Sequence, residues 1–267
     1  MHFQTYHLKS PWKAEAEDAY AIHPEAGLFA VMDGVTPLDA YKDGEGHNGA
    51  HIAANLFRAS FEQGTSQTDL TQLILDANRQ LRDRMMQAGI DLSILHELWS
   101  TCVAAVKLEP DVVRYAQLGD SMIVAVYNDG RIVAVTENRV RGVTQRAKLA
   151  RKEARRRGEE LPDESYYDIP HNRNQANRWL ANHPDGYGVA NGMETLDTHL
   201  QAGVLPREEL RHLVLLTDGL FHPELELTDA CAELMRLGLE RYAEVVIEAE
   251  RRHDSPPDDR TCIWITL

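Results

Sequence analysis

Apolar residues along this chain follow two alternating patterns. Short continuous runs read as buried strands, and longer stretches with apolar positions three or four apart read as amphipathic helices. Leu28-Phe29-Ala30-Val31-Met32 is a continuous run ending in Asp33-Gly34, a strand entering a turn. A polar, glycine-containing loop follows between Asp39 and Gly49. Ile52, Ala53, Leu56, Phe57 and Phe61 then repeat at helical spacing, with Gly64 as a stop. Leu70, Leu73, Ile74, Ala77, Leu81 and Met85 form a second helical stripe. Asp69 with Gln72 resembles a capping box at its start, and Gly89 ends it.

The middle of the chain is rich in strand patterns. Thr101 to Leu108, Val112 to Leu118, Ser121 to Tyr127 and Arg131 to Val135 are four candidate strands, the last two joined by the hairpin turn Asn128-Asp129-Gly130. Their close spacing predicts an antiparallel meander. From Arg139 to Gly158 the chain becomes polar, helix-prone and basic, and helical patterns punctuated by Gly and Pro continue to about Gln201. Leu213-Val214-Leu215-Leu216-Thr217 is another buried strand, ending at Asp218-Gly219. Thr228 to Arg252 predicts one or two amphipathic helices, and Cys262 to Leu267 a closing strand. Strands at both ends of the chain and no clear linker predict one layered domain over 1–267, with helices packed outside sheets.

Composition narrows the picture. A chain of 267 residues with 43% hydrophobic residues can bury a full core without covalent staples. No apolar stretch is long enough to span a bilayer, and Met1 to His7 lacks the charged-then-apolar pattern of a leader. The expectation is a cytoplasmic protein without a membrane partner. Cys102, Cys231 and Cys262 are far apart and set among apolar neighbours, which predicts buried, reduced thiols. The net charge of −14 argues against a nucleic-acid partner. It agrees with a site that gathers carboxylates around divalent cations.

Such a gathering is visible in the pattern. Asp33, Asp120 and Asp218 each sit where an apolar strand meets a tight turn, within Met32-Asp33-Gly34, Gly119-Asp120-Ser121 and Thr217-Asp218-Gly219. Asp258 precedes the last strand, and Glu17-Asp18 precedes the first long one. Acids at strand ends beside glycine let carboxylates converge at one sheet edge. Converging carboxylates repel one another unless cations sit among them. An all-oxygen donor set suits Mg²⁺ or Mn²⁺ and not zinc.

The ordered series resembles the metal-dependent protein serine/threonine phosphatases of the 2C type. Glu17-Asp18-Ala19 is similar to that family's early acidic motif, and Phe29 to Gly34 to its strand ending in Asp-Gly. Trp99-Ser100-Thr101 resembles its Gly-Ser-Thr strand start. Leu118-Gly119-Asp120-Ser121 matches its Gly-Asp-Ser turn, and Leu215 to Leu220 its Asp-Gly-Leu/Ile motif. Asp258-Asp259-Arg260-Thr261 resembles its terminal Asp-Asn/Asp-X-Thr. The motifs run in family order over nearly the whole chain. The resemblance implies an α+β fold, a four-layer α-β-β-α sandwich of two antiparallel sheets flanked by helices, with two or three Mg²⁺ or Mn²⁺ ions at one end. It implies that Asp33 bridges two metals and that the Gly34 carbonyl holds the first. It assigns Asp218 and Asp258 to the second metal, and Asp120 with Asp218 to a weaker third. It implies that Glu17 and Asp18 act mainly through metal-bound waters. A bridged pair lowers the pKa of the shared water and stabilises phosphoryl charge during in-line attack. No Cys or Ser lies in a nucleophile motif.

Two positions depart from the family pattern. An Arg that grips the substrate phosphate is replaced by Lys13, which keeps the charge and loses the bidentate fork. Val35-Thr36-Pro37 stands where the family has a His after the first Asp-Gly. His47 or His51 could supply a proton from the following loop, although a solvated loop His and a helix-start His are the plainer readings. The spacing His47-X-X-X-His51 also suggests zinc, but two histidines do not make a site.

Nine basic residues crowd 139–157, where the family carries a variable flap beside its active site, here about 139–170. They read either as a dock for an acidic phosphosubstrate or as a solvated helix paired with the protein's own acids. Trp99, Trp179 and Trp264 are expected in the core or on a sheet face; Tyr166, Tyr167 and Tyr187 either line a cleft or pack loops. Together these features predict a metal-dependent phosphomonoesterase acting on phosphoserine or phosphothreonine in proteins. The alternatives are a small-molecule phosphatase on the same fold and a catalytically weak regulatory or interaction module.

Overall fold

The computed structural model describes residues 1–267. Its strands in chain order are β1 His2–Leu8, β2 Asp18–His23, β3 Leu28–Gly34, β4 Thr101–Leu108, β5 Val112–Leu118, β6 Met122–Tyr127, β7 Ile132–Ala134, β8 Gln201–Pro206, β9 Leu210–Leu216 and β10 Arg260–Thr266. The helices are α1 Gly49–Glu62, α2 Leu70–Gln87, α3 Val143–Arg156, α4 Pro170–Arg178, α5 Leu227–Leu237 and α6 Leu239–Arg252. The strands form two antiparallel five-stranded sheets, ordered β1-β10-β9-β6-β7 and β2-β3-β4-β5-β8.

Strand alternation explains the layering. In β3, Phe29 and Val31 face the other sheet, where they meet Ile123, Leu215 and Ile263. Leu28, Ala30 and Met32 face the opposite way, onto Ala53, Phe57 and Ile74 of α1 and α2. The same division on the other sheet turns Met122, Val124 and Val214 toward Leu234 of α5 and Tyr242 and Val246 of α6. A continuous apolar run such as Leu28 to Met32 is therefore a strand buried on both faces. The result is the expected α+β sandwich of four layers.

The predicted four-strand meander is corrected. β4 and β5 pair in one sheet, whereas β6 and β7 belong to the other. The chain changes sheets at Gly119-Asp120. Gly119 has φ +78°, and a Cβ there would lie 2.2 Å from Cys102 Sγ, so glycine is required for the crossing. Spacing alone does not separate a hairpin from a turn that leaves the sheet.

Three strands carried too little pattern to be read. β1 is an edge strand, exposed at nearly every position, and pairs only with β10. β8, another edge, falls where helical pattern was expected to end. β2 pairs with β3. The 228–252 region is two helices broken at Gly238, whose φ is +82°. The capping box at α2 is half formed: Asp69 accepts from Gln72 N at 2.8 Å, while the Gln72 side chain turns to Asp76. Trp179 departs from expectation, being 57% exposed at the end of α4, while Trp99 is buried. The three cysteines are free and buried.

Candidate metal centre

The alternation that sends Phe29 and Val31 between the sheets carries Asp33, at the end of β3, into the same space. Asp18 at the start of β2 lies directly across from it in the ladder. Asp120 occupies the crossing between β5 and β6, Asp218 follows β9, and Asp258 precedes β10. Strand ends from both sheets thus deliver their acids to one edge of the sandwich. Carboxylate oxygens of Asp33, Asp120 and Asp218 all lie within 4.8 Å of one another.

The electrostatics record this crowding. Burial, reinforced by the charges of Asp218, Asp18, Asp120 and Asp258, pushes the Asp33 carboxyl well above the usual range. Burial and the charges of Asp120, Asp258 and Asp18 do the same to Asp218. Asp120 is raised mainly by burial, against a hydrogen bond from the Cys102 thiol. Asp18 is pushed up to about 7 by burial, opposed by the hydroxyls of Thr261 and Thr217 and assisted by Asp259 and Asp258. Carboxylates that raise one another in this way form a site built for cations.

The supporting bonds are specific. Asp18 Oδ2 accepts from Thr217 Oγ1 at 2.8 Å and Thr261 Oγ1 at 2.6 Å, one threonine from each neighbouring strand end. Glu17 is 2% exposed; it accepts from Thr36 Oγ1 at 2.6 Å and Asn48 Nδ2 at 2.6 Å. A Cβ on Gly34 would sit 2.5 Å from Glu17 O and 2.7 Å from Ala50 O, so the turn after Asp33 closes only on glycine.

Lys13 stands closer to the acids than its assigned role as a phosphate grip required. Its ammonium lies 2.6 Å from Asp258, 2.8 Å from Glu17 and 3.3 Å from Asp259. Burial disfavours the charge, but the bonds to Asp258 and Glu17 outweigh it and hold Lys13 above the ordinary lysine range.

Asp259, Thr217 and Thr261 were not recognised as site residues from the sequence. Asp259 is 1% exposed and accepts backbone N–H groups from Ser10 at 2.6 Å, Glu17 at 2.7 Å and Asp18 at 3.3 Å. It pins the segment that carries Glu17 and Asp18. The doubled acid Asp258-Asp259 before a strand is the available signal, although the sequence pattern points only to Asp258 as a ligand.

Other predicted features lie beside this cluster. A cavity of about 520 Å³ adjoins Asp120 and Asp218 and is lined by Arg141, Phe221 and His222. Another, of about 330 Å³, opens between α3 and α4 and is lined by Tyr166, Tyr167 and Trp179, away from the acids. Tyr187 is buried with Cys102 and Leu180, where the 139–190 region packs against the sheets. Most guanidinium groups of the basic segment are already paired. Arg151 and Arg155 hold Glu164 at 2.9 and 2.6 Å, Arg157 holds Glu159 at 2.9 Å, and Arg141 holds Glu226 at 3.1 Å. His47 and His51 are not among the clustered aspartates; they stack on each other beside Glu15.

The donor chemistry fits Mg²⁺ or Mn²⁺. Every converging side chain offers carboxylate oxygen, and the repulsion among these groups is what a hard divalent cation relieves.

Solved structures share the fold. The serine/threonine phosphatase PstP/Ppp of Mycobacterium tuberculosis is 18% identical, with 100% of this chain and 98% of that chain covered and a TM-score of 0.59. Stp1 from Staphylococcus aureus is 17% identical, covering 99% and 94%, with a TM-score of 0.60. The catalytic domain of PstP in complex with two manganese ions is 16% identical, covering 98% and 96%, with a TM-score of 0.61. No curated protein matches the sequence. The sequence profile of protein phosphatase 2C matches residues 7–250, and with that match over this sandwich and its edge of aspartates, the chain belongs to the protein phosphatase 2C family.

Proposed function

We propose that this protein removes phosphate from phosphoserine or phosphothreonine side chains of proteins, at the cluster of Asp33, Asp120 and Asp218. The convergence of those three carboxylates within 4.8 Å, from strand ends of both sheets, carries the reading. Asp33, the Gly34 carbonyl, Asp218 and Asp258 would hold two ions, and Asp120 with Asp218 a third. When bound, Mg²⁺ or Mn²⁺ supplies an activated water and offsets charge on the phosphoryl oxygens.

The remaining work falls to the chain itself. Burial and mutual repulsion favour the protonated forms of Asp33 and Asp218, and bound cations would favour the ionised ones. Thr217 and Thr261 fix the Asp18 carboxylate, and Thr36 and Asn48 fix that of Glu17, so both present oriented acceptors to bound water. Lys13 is the cation nearest Asp258 and Glu17. With ions on those acids its ammonium would be available to a substrate phosphate as a point charge. The cavity beside Asp120 and Asp218, with Arg141 and His222 on its wall, accepts the peptide that carries the phosphate. The chain acts as one phosphatase domain over 1–267, with 139–170 as its flap.

Hydrolysis of an aryl phosphate by chelated protein, titrated with Mn²⁺ and then with Mg²⁺, tests the metal requirement. A phosphopeptide panel then tests the substrate class. Activity should be absent in chelator and saturate with metal. Full turnover in EDTA would overturn the reading.

A further inference from the structure

Glu15, His47 and His51 form a second group of metal-ligating side chains, separate from the aspartate cluster. The loop before α1 supplies His47, the first turn of α1 supplies His51, and the segment before β2 supplies Glu15. One ligand atom from each lies within 4.8 Å of the others. Glu15 Oε2 is 2.5 Å from His47 Nδ1 and 3.6 Å from His51 Nδ1. The imidazole rings stack with centroids 4.2 Å apart and planes 14° apart, so their in-plane lone pairs run side by side and one ring must rotate out of the stack before both can meet one ion.

From this geometry we propose that Glu15, His47 and His51 bind one borderline divalent transition-metal ion, of which Zn²⁺ is the type. Zinc–nitrogen and zinc–oxygen distances of about 2.0–2.1 Å in a tetrahedron place neighbouring donors about 3.3 Å apart. The Glu15–His51 separation of 3.6 Å already approaches this, and the Glu15–His47 contact must open by less than about 1 Å. Two imidazoles and one carboxylate make the open, three-ligand set that zinc accepts with water in the fourth place. The same set is a poor match for Mg²⁺, which favours oxygen donors.

Coordination has identifiable costs. His51 Nδ1 contacts Ala16 O at 2.8 Å and must exchange that bond for the metal. Lys42 stands 3.4 Å from Glu15 Oε1, and the N-terminal end of α1 disfavours a cation. Negative charge offsets both: Glu45 lies 3.4 Å from His47 Nε2, and Asp43 accepts the His47 backbone N–H at 2.9 Å. The carboxylate is held from behind, since Asn48 N donates to Glu15 Oε1 at 2.9 Å.

Asn48 also links this group to the aspartate edge. Its backbone holds Glu15 while its side chain donates to Glu17 Oε1 at 2.6 Å. An ion bound here fixes the 43–48 loop and thereby the residue that orients Glu17.

The test uses the full chain carrying Asp33→Asn, held in excess Mg²⁺ so that the oxygen-donor edge does not report zinc. Calorimetric titration with Zn²⁺ should find one equivalent. X-ray absorption of the zinc-loaded protein should show two imidazole ligands. Adding His51→Gln or Glu15→Gln should weaken binding at least about tenfold. Binding unchanged in His51→Gln overturns the site, as does a zinc spectrum without imidazole scattering. The spectrum needs no ligand variant, so a variant that fails to fold leaves the result decisive.

Discussion

Asp18 offers a direct measure of how much the carboxylate edge costs the metal-free fold. Its side chain is 4% exposed and its carboxyl is pushed up to about 7 from 3.8. Because the folded value is raised, the folded state keeps a proton that the unfolded chain releases. Relative to an uncharged side chain, no penalty exists below about pH 4, and stability is lost as pH climbs from there to about 7. A shift of about three units at 1.36 kcal/mol each amounts to about 4 kcal/mol. That is an upper figure, because neighbouring carboxyls share the same protons. Asp18→Asn removes the ionisation and keeps an oxygen that can accept from Thr217 and Thr261. It also lifts a repulsion felt by Asp33 and Asp218.

Urea unfolding of chelated parent and variant between pH 4 and 9 measures the effect. The two should be similar near pH 4, diverge in favour of the variant up to pH 7, and stay apart above it. Saturating Mn²⁺ should shrink the gap, since nearby cations favour the ionised form. A difference that does not vary with pH would refute the argument, and would mean that the hydroxyls of Thr217 and Thr261 already compensate the buried charge.

Further outcomes follow from the same geometry. Asp33→Asn should lower kcat on an aryl phosphate by at least about a hundredfold and remove tight Mn²⁺ binding by calorimetry, while Asp120→Asn lowers kcat but leaves tight binding largely intact. Gly119→Ala should cost about 2–4 kcal/mol in chemical unfolding, through its φ of +78° and the approach to Cys102 Sγ. Neutralising Arg155, Arg156 and Arg157 together should reduce kcat/KM for an acidic phosphoprotein and spare an aryl phosphate if the segment docks substrate. That loss should fade between about 0.1 and 1 M salt, as the Debye length falls from about 10 to 3 Å. Equal effects on both substrates would exclude docking.

What the sequence made legible was the part written in periodicity and in strand-end acids. Leu28 to Met32 and Leu213 to Leu216 are buried on both faces, so their composition alone announced them. The edges were silent for the converse reason: β1 is exposed at nearly every position, and β8 alternates only between half-buried and exposed, so neither shows an apolar run. The sheet change at Gly119 was hidden because β6 reads alike as the next strand of a meander or the middle of another sheet. Among the site residues, Asp33, Asp120 and Asp218 were visible as acids beside glycine. The pairing of Lys13 with Asp258 was not, since 245 residues separate them.

Asp258 and Asp259 show why adjacent identical residues take different work. Both carboxylates reach Lys13, at 2.6 Å from Asp258 and 3.3 Å from Asp259, but they differ in burial. Asp258, with a side chain 49% exposed, faces the edge and meets Lys13. Asp259 turns inward, 1% exposed, where an unpaired carboxylate would be costly. The N-terminal segment resolves that cost by offering the N–H groups of Ser10, Glu17 and Asp18. The last strand thus fastens the segment that carries the first acids of the site. Asparagine at 259 would supply one accepting oxygen in place of two, which is too few for the three backbone N–H groups and the Lys13 ammonium that approach both oxygens. The acidic member of the family's Asn/Asp alternative is therefore the one that suits the loop from Ser10 to Asp18 in this chain.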